Sequence, residues 1–254
     1  MIIYDYRAVG GSIIRYTGEL DKDHKATLKN FPHTDILSWA GDANAVFDHL
    51  VANYPDREYQ AICHSVGGHF VPLLKQRERL SRVLFVGVNS AFSAFDPSGW
   101  RSKVFFKGLV PLFTTLFGYF PSKSLGFFED LPSGVAKNWS RWASQEQYMC
   151  GDKLLPHLPK LYASCDLPIL SISFSDDEFS TKEGFESYLA MVGSNNAIKV
   201  HVHLRPKDVG CKTIGHNGFF AKGSEELWKA LAVDWVLKGS THHLKKFAHS
   251  KPKL

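Results

Sequence analysis

The chain has 254 residues, of which 44% are hydrophobic and 22% charged, enough for one large domain with a full core. Those proportions exclude a disordered, fibrous or collagen-like chain. Its formal charge is +5, and the five lysines from Lys238 onward, with no acid among them, account for all of it. A basic surface for nucleic acid is therefore not indicated for the body of the protein.

Taken in order, short apolar runs alternate with amphipathic stretches, the pattern of a mostly parallel sheet flanked by helices. Met1–Tyr6 reads as a first short strand, ending in Asp5-Tyr6-Arg7 and a Gly10-Gly11 turn. Around Asp42–Ala52, Ala45, Val46, Leu50 and Val51 recur at helical spacing. Gln60–Cys63 is the second strand and Val83–Val88 the third. Leu167–Phe174 is the fourth, opened by Pro168, which suits a strand's first position. Ser180-x-x-Glu183 has the form of a capping box for the next helix, and Gly193 stands where a C-terminal glycine belongs. Ile198–Leu204 is the fifth strand, and Glu225–Leu237, with Leu227, Leu231 and Trp235, closes the domain as a helix.

One stretch breaks the rhythm. Residues 91–161 show no clear strand but many aromatics, among them Phe92, Phe95, Trp100, Phe105, Phe106, Phe113, Phe117, Phe127, Phe128, Trp139 and Trp142. That is too long for an ordinary connection and predicts an inserted helical cap. Most of its rings should pack onto the domain below, with a few lining an apolar pocket. The expected organisation is a core of 1–90 and 162–238, a cap of 91–161 and a basic tail of 239–254.

Cys63, Cys150, Cys165 and Cys211 lie far apart, with no metal-ligand or redox spacing, so reduced thiols in the cytoplasm are expected. The N-terminus has no basic region and no long apolar run, unlike a signal peptide. Val104–Phe120 is the most lipid-like stretch, but it is short and carries Lys107, Pro111 and two glycines. The cap's aromatics and the lysine tail together leave room for a weak contact with a membrane surface.

The sharpest local signal is Cys63-His64-Ser65-Val66-Gly67-Gly68, directly after a strand and before an apolar helix. A serine on a tight strand-to-helix turn needs small flanking residues, the logic of the G-x-S-x-G elbow. Cys63 replaces the first glycine, and Gly67 and Gly68 supply room beyond. A serine nucleophile also needs a base and an orienting carboxylate. Ser175-Asp176-Asp177-Glu178-Phe179 follows the fourth strand, and Ile214-Gly215-His216-Asn217-Gly218 follows the fifth. All three groups fall at C-terminal ends of strands, in the order Ser, Asp, His, where open α/β sheets place their sites.

On these residues, with Asp5-Tyr6-Arg7, Gly10-Gly11-Ser12, Gly118-Tyr119-Phe120-Pro121, Glu129-Asp130-Leu131-Pro132 and Gly218-Phe219-Phe220, the chain resembles the α/β-hydrolase superfamily. It is most similar to bacterial hydrolases related to serine aminopeptidase-like and esterase sequences. The resemblance implies a serine hydrolase cleaving an ester, thioester or amide through an acyl-enzyme, on a small apolar acyl substrate. It implies Ser65 as nucleophile, His216 as base, Asp177 rather than Asp176 as orienter, and the Val66 amide as one oxyanion donor. It implies no metal and no cofactor. In that family the Asp5-Tyr6-Arg7 stretch follows the fourth strand, and Ala8 replaces a glycine of its motif. The reading is therefore of a hydrolase fold lacking its first strands, and with them the loop that gives the second oxyanion amide. The alternative function is an impaired hydrolase-fold protein with a binding role or none of its own.

Other features carry less. His201 and His203 alternate on the fifth strand without a third metal ligand, which favours ordinary hydrogen bonding. Gly10-Gly11 lacks the Lys-Ser/Thr ending of a phosphate loop. His64 and His69 read as packing residues, and His242-His243 as part of the tail.

Overall fold

A computed structural model describes residues 1–12, 28–29, 31, 33–97, 99–126 and 129–240. Phe127, Phe128, His242, His243 and most of the basic tail lie outside the described residues, as does the side chain of Leu231. Four parallel strands form the main sheet: β1 (Tyr59–His64), β2 (Leu80–Val86), β5 (Ile169–Phe174) and β6 (Lys199–Leu204), in the spatial order β1-β2-β5-β6. β2 and β5 are central, and all six residues of β5 are buried. Both faces of such a strand are covered, so Ser171 and Ser173 are buried along with its apolar residues.

The alternation of β2 divides the core. Val83 and Phe85 join one cluster with Trp39, Phe47, Phe70, Tyr162 and Tyr188. Leu84 and Val86 join the other with Leu170, Ile172, Phe174, Leu204 and Trp235. Helix α1 (Ile36–Asn53) supplies the first layer through Ile36, Trp39, Ala40, Ala43 and Phe47, the spacing of one helical face. It begins six residues before the predicted Asp42, because Asp35 caps it: its carboxylate accepts the Ser38 amide at 2.7 Å.

Between β2 and β5 the chain forms α2 (Trp100–Val104), a π-helical turn (Phe105–Leu109) and α3 (Val110–Phe117). It then makes a two-stranded antiparallel pair, β3 (Tyr119–Phe120) with β4 (Leu131–Pro132), where no strand was expected. Helices α4 (Ser133–Trp142) and α5 (Leu158–Ala163) lead back to the sheet. Most of its described rings do pack: Phe106, Phe120 and Trp142 are buried, and the Trp142 Nε1–H donates to Asp152 at 2.6 Å. Helix α6 (Lys182–Met191) follows β5, and α7 (Glu225–Leu227), a second π turn (Trp228–Val233) and α8 (Asp234–Lys238) close the domain.

Three expectations are corrected. Met1–Tyr6 forms no strand; Met1, Ile2 and Ile3 are exposed, and Tyr6 instead stacks on Trp39 at 5.2 Å. The outer edge of β1 pairs with no strand among the described residues. The N-cap of α6 is Thr181, not Ser180, and no side chain accepts a capping amide there. Gly193, with φ +74, still ends that helix, its amide donating to the Tyr162 carbonyl. Finally, the helix expected after Ser65 is a nine-residue 3-10 helix (Ser65–Leu73) with Pro72 in its last turn. Among the described residues, no helix is long and apolar enough to cross a membrane.

Candidate active site

Ser65 stands where β1 ends and the 3-10 helix begins, and its φ is +49. That left-handed conformation is costly for a residue with a Cβ and is kept only where surrounding packing demands it. The demand is visible at Gly68. A Cβ there would lie 2.5 Å and 2.6 Å from the two methyl carbons of Val88, which is fully buried beyond β2. At Gly67 the nearest atom would be the Tyr6 hydroxyl at 3.3 Å. The tighter steric requirement thus falls one residue later than the G-x-S-x-G pattern places it.

His216 comes from the loop after β6 and Asp177 from the loop after β5. The His216 Nε2 lies 2.9 Å from the Ser65 Oγ, and its Nδ1 lies 2.8 Å from the Asp177 Oδ2. Both the imidazole and the carboxylate are buried. The other Asp177 oxygen accepts the Phe179 amide at 2.8 Å, which fixes the carboxylate's rotation. A carboxylate oxygen facing Nδ1 favours the tautomer that carries its hydrogen there, which turns the Nε2 lone pair towards the hydroxyl. Asp176 points elsewhere and accepts the Ile214 amide at 2.8 Å. The neighbouring acids therefore divide the work: one meets the imidazole and one pins the loop that carries it. The Val66 amide opens the 3-10 turn beside Ser65.

Several residues support this geometry in roles that the sequence did not assign to them. The Glu178 carboxylate accepts the His216 amide at 3.1 Å. Gly87, with φ +63, leaves room for the imidazole, whose Cε1 would stand 3.3 Å from any Cβ at that position. Its signal was a glycine just past a strand end. The His64 Nε2 donates to the His216 carbonyl at 2.9 Å, and burial lowers its pKa, keeping the ring neutral. His69 is buried and held to a pKa of about 4 by that burial, its Nε2–H donating to the Asn89 carbonyl at 2.8 Å. Behind the elbow, burial pushes the Cys63 thiol up to about 12, so it stays a neutral spacer. His201 and His203 both meet the Ser173 hydroxyl at 2.8 Å, an arrangement of ordinary, partly buried hydrogen bonds.

A cavity of about 410 Å³ opens onto Ser65 and His216. Its walls are largely apolar, with Ile36 and Trp39 from α1 and Phe106, Leu131, Val135 and Trp139 from the segment between β2 and β5. A pocket of this size suits a small molecule.

The sequence matches no protein-family model and no curated protein. Solved structures do match. A monoacylglycerol lipase from Paleococcus ferrophilus aligns with 82% of this chain and 77% of its own, at a TM-score of 0.50 and 13% identity. A soluble variant of monoglyceride lipase from Saccharomyces cerevisiae aligns with 79% of this chain and 66% of its own, at 0.51 and 13% identity. The fold is that of the α/β-hydrolases. In this α/β-hydrolase fold, Ser65, Asp177 and His216 occupy loops at the C-terminal ends of β1, β5 and β6.

Proposed function

We propose that this chain is a serine hydrolase acting on an ester, thioester or amide through an acyl-enzyme. One observation carries the reading: the unbroken chain of contacts from the Ser65 Oγ to His216 and on to Asp177, at 2.9 and 2.8 Å. Ser65 attacks the carbonyl carbon while His216 Nε2 takes its proton. Asp177 holds the imidazole in the useful tautomer and stabilises the imidazolium. The Val66 amide donates to the developing oxyanion. His216 returns the proton to the leaving group, whose bond to the acyl carbon breaks. It then deprotonates a water that attacks the acyl-enzyme, and Ser65 is released with its proton.

The apolar walls of the cavity support an apolar acyl group as substrate, with residues 91–161 acting as the cap over it. The reading agrees with the two fold neighbours being a monoacylglycerol lipase and a monoglyceride lipase. Acyl transfer through these residues calls for no metal or cofactor. Four free thiols fit a cytoplasmic setting.

The test is labelling of the purified chain with a fluorophosphonate probe beside Ser65→Ala, followed by short- and long-chain acyl esters. Labelling lost in the variant, with turnover of the esters, is expected. A folded chain that takes no label would overturn the hydrolase reading.

A further inference from the structure

The helical stretch from Trp100 to Phe117 has two faces in unusual register. Its inward side chains are Ser102, Phe106, Val110 and Thr114, all buried and spaced four residues apart. A plain α-helix drifts about 40° at each such step, so a strict four-residue stripe would wind around it. The π turn Phe105–Leu109 takes up the extra residue and restores the phase. The same correction keeps a second stripe aligned on the outer side: Trp100, Val104, Gly108, Leu112 and Leu116.

That outer stripe is apolar where a surface helix should be polar. Trp100 is 69% exposed, Leu116 66%, and Val104 and Leu112 50% each. Arg101, Lys103 and Lys107 stand exposed beside it, and the stretch contains no acidic residue. An apolar face with charges of one sign is the composition of helices that lie in a lipid interface.

We infer that this face docks on an anionic lipid surface. Trp100, Val104, Leu112 and Leu116 enter the boundary between headgroups and acyl chains, and the three cations meet the headgroup phosphates. Charge selects this occupant over a second copy. A symmetric contact between two such faces would bring their cations together without an acid of either helix to offset them. The inward stripe of the same helix contributes Phe106 to the cavity, so docking would set one wall of the cavity against the membrane. The inference needs no turnover and stands apart from the hydrolase reading.

The test is flotation of the purified protein with vesicles of phosphatidylcholine and phosphatidylserine, and with vesicles of phosphatidylcholine alone. Each cation near an anionic surface contributes about fivefold to partitioning. The protein should therefore float with the anionic vesicles at least about tenfold better than with the neutral ones, and less so in high salt. Leu112→Ser with Leu116→Ser, and separately Lys103→Glu with Lys107→Glu, should each cut flotation about tenfold or more while leaving the melting midpoint in place. Failure of the folded parent to float would overturn the inference. Flotation that neither variant reduces would also overturn it, placing the contact elsewhere in the chain. So would a dimer that dissociates with the same substitutions in a protein that ignores vesicles.

Discussion

Substitution of Gly68 by alanine tests the steric account of the elbow directly. The added Cβ would sit 2.5 and 2.6 Å from the Val88 methyl carbons and 3.1 Å from its Cβ. Carbon atoms in contact prefer about 3.5–4.0 Å, so the overlap approaches 1 Å against a fully buried neighbour. Overpacking of this kind costs about 1–3 kcal/mol. The lost glycine entropy of the unfolded chain returns only about 0.4–1 kcal/mol. A net loss of about 1–2 kcal/mol is expected. Val88→Ala alone removes two methyl groups and leaves a small void, a loss of about 2 kcal/mol.

The double variant decides the matter, because the alanine methyl at 68 would occupy the space that Val88 vacates. It should be no less stable than Val88→Ala, a coupling of about 1–2 kcal/mol. Gly67→Ala meets only the end of the Tyr6 side chain at 3.3 Å and should cost less than Gly68→Ala. Urea midpoints followed by tryptophan fluorescence report all four variants. Additive losses at 68 and 88, or a costlier substitution at 67, would refute the argument.

Two further outcomes follow from the site and its surroundings. Asp177→Asn should slow probe labelling by about four orders of magnitude, because Nδ1 loses its acceptor and the tautomer reverses. Asp176→Asn keeps an oxygen for the Ile214 amide and should fall by less than about tenfold; equal losses would dissolve the division of labour between the two acids. His69 and His201 are both held to a pKa of about 4, chiefly by burial, against an ordinary value near 6.5. The unfolded chain binds protons that the fold refuses, so stability is level above about pH 6.5 and falls as pH drops towards 4, by up to about 3 kcal/mol for each ring. His201→Gln should shorten that acid limb in melting experiments, and an unchanged limb would show that His201 contributes nothing to it.

The sheet was legible because its strands obey simple rules. The second half of β2, Val83–Val86, is an unbroken apolar run, β5 alternates apolar residues with only Ser171 and Ser173, and Pro168 stands just before β5. The three groups of the site were legible for a related reason: each follows a strand directly, so its position in space is fixed by chain order. What the sequence hid depended on contacts between distant residues. Met1–Tyr6 has strand-like composition, but the aromatic ring of Tyr6 finds Trp39 and Phe70, at 5.2 and 5.3 Å, and this packing wins over pairing with β1. Thr181 rather than Ser180 caps α6 because the amide of Thr181 is already taken by the Phe95 carbonyl at 2.8 Å, which fixes where the chain turns. The roles of Gly87, His64 and Glu178 arise only when the loops after β2, β1 and β5 converge on His216, and no local pattern announces such a convergence.

That convergence explains how a serine at φ +49 survives at the end of β1. The strain there is of order 1–3 kcal/mol, and among the described residues β2 is the one strand that grips β1 through backbone pairing. Other restraints act at the turn itself. Val88 seats Gly68, and the Tyr188 hydroxyl donates to the Gly68 carbonyl at 3.1 Å, so the turn cannot move towards the sheet. Tyr6 covers Gly67 from the opposite side, and its own segment is tied to α1. The Arg7 guanidinium donates to Asp42 at 2.6 Å, and the Trp39 Nε1–H donates to the Arg7 carbonyl at 3.1 Å. The ion pair is half exposed on the arginine side and contributes at most about 1 kcal/mol, so the stacked rings bear most of that restraint. The third hold comes through His64, whose bond to the His216 carbonyl links the residue before the nucleophile to the loop that carries its base. A shift of the elbow in any of these directions breaks a packed contact or a buried hydrogen bond, and the strained backbone at Ser65 is the smaller cost.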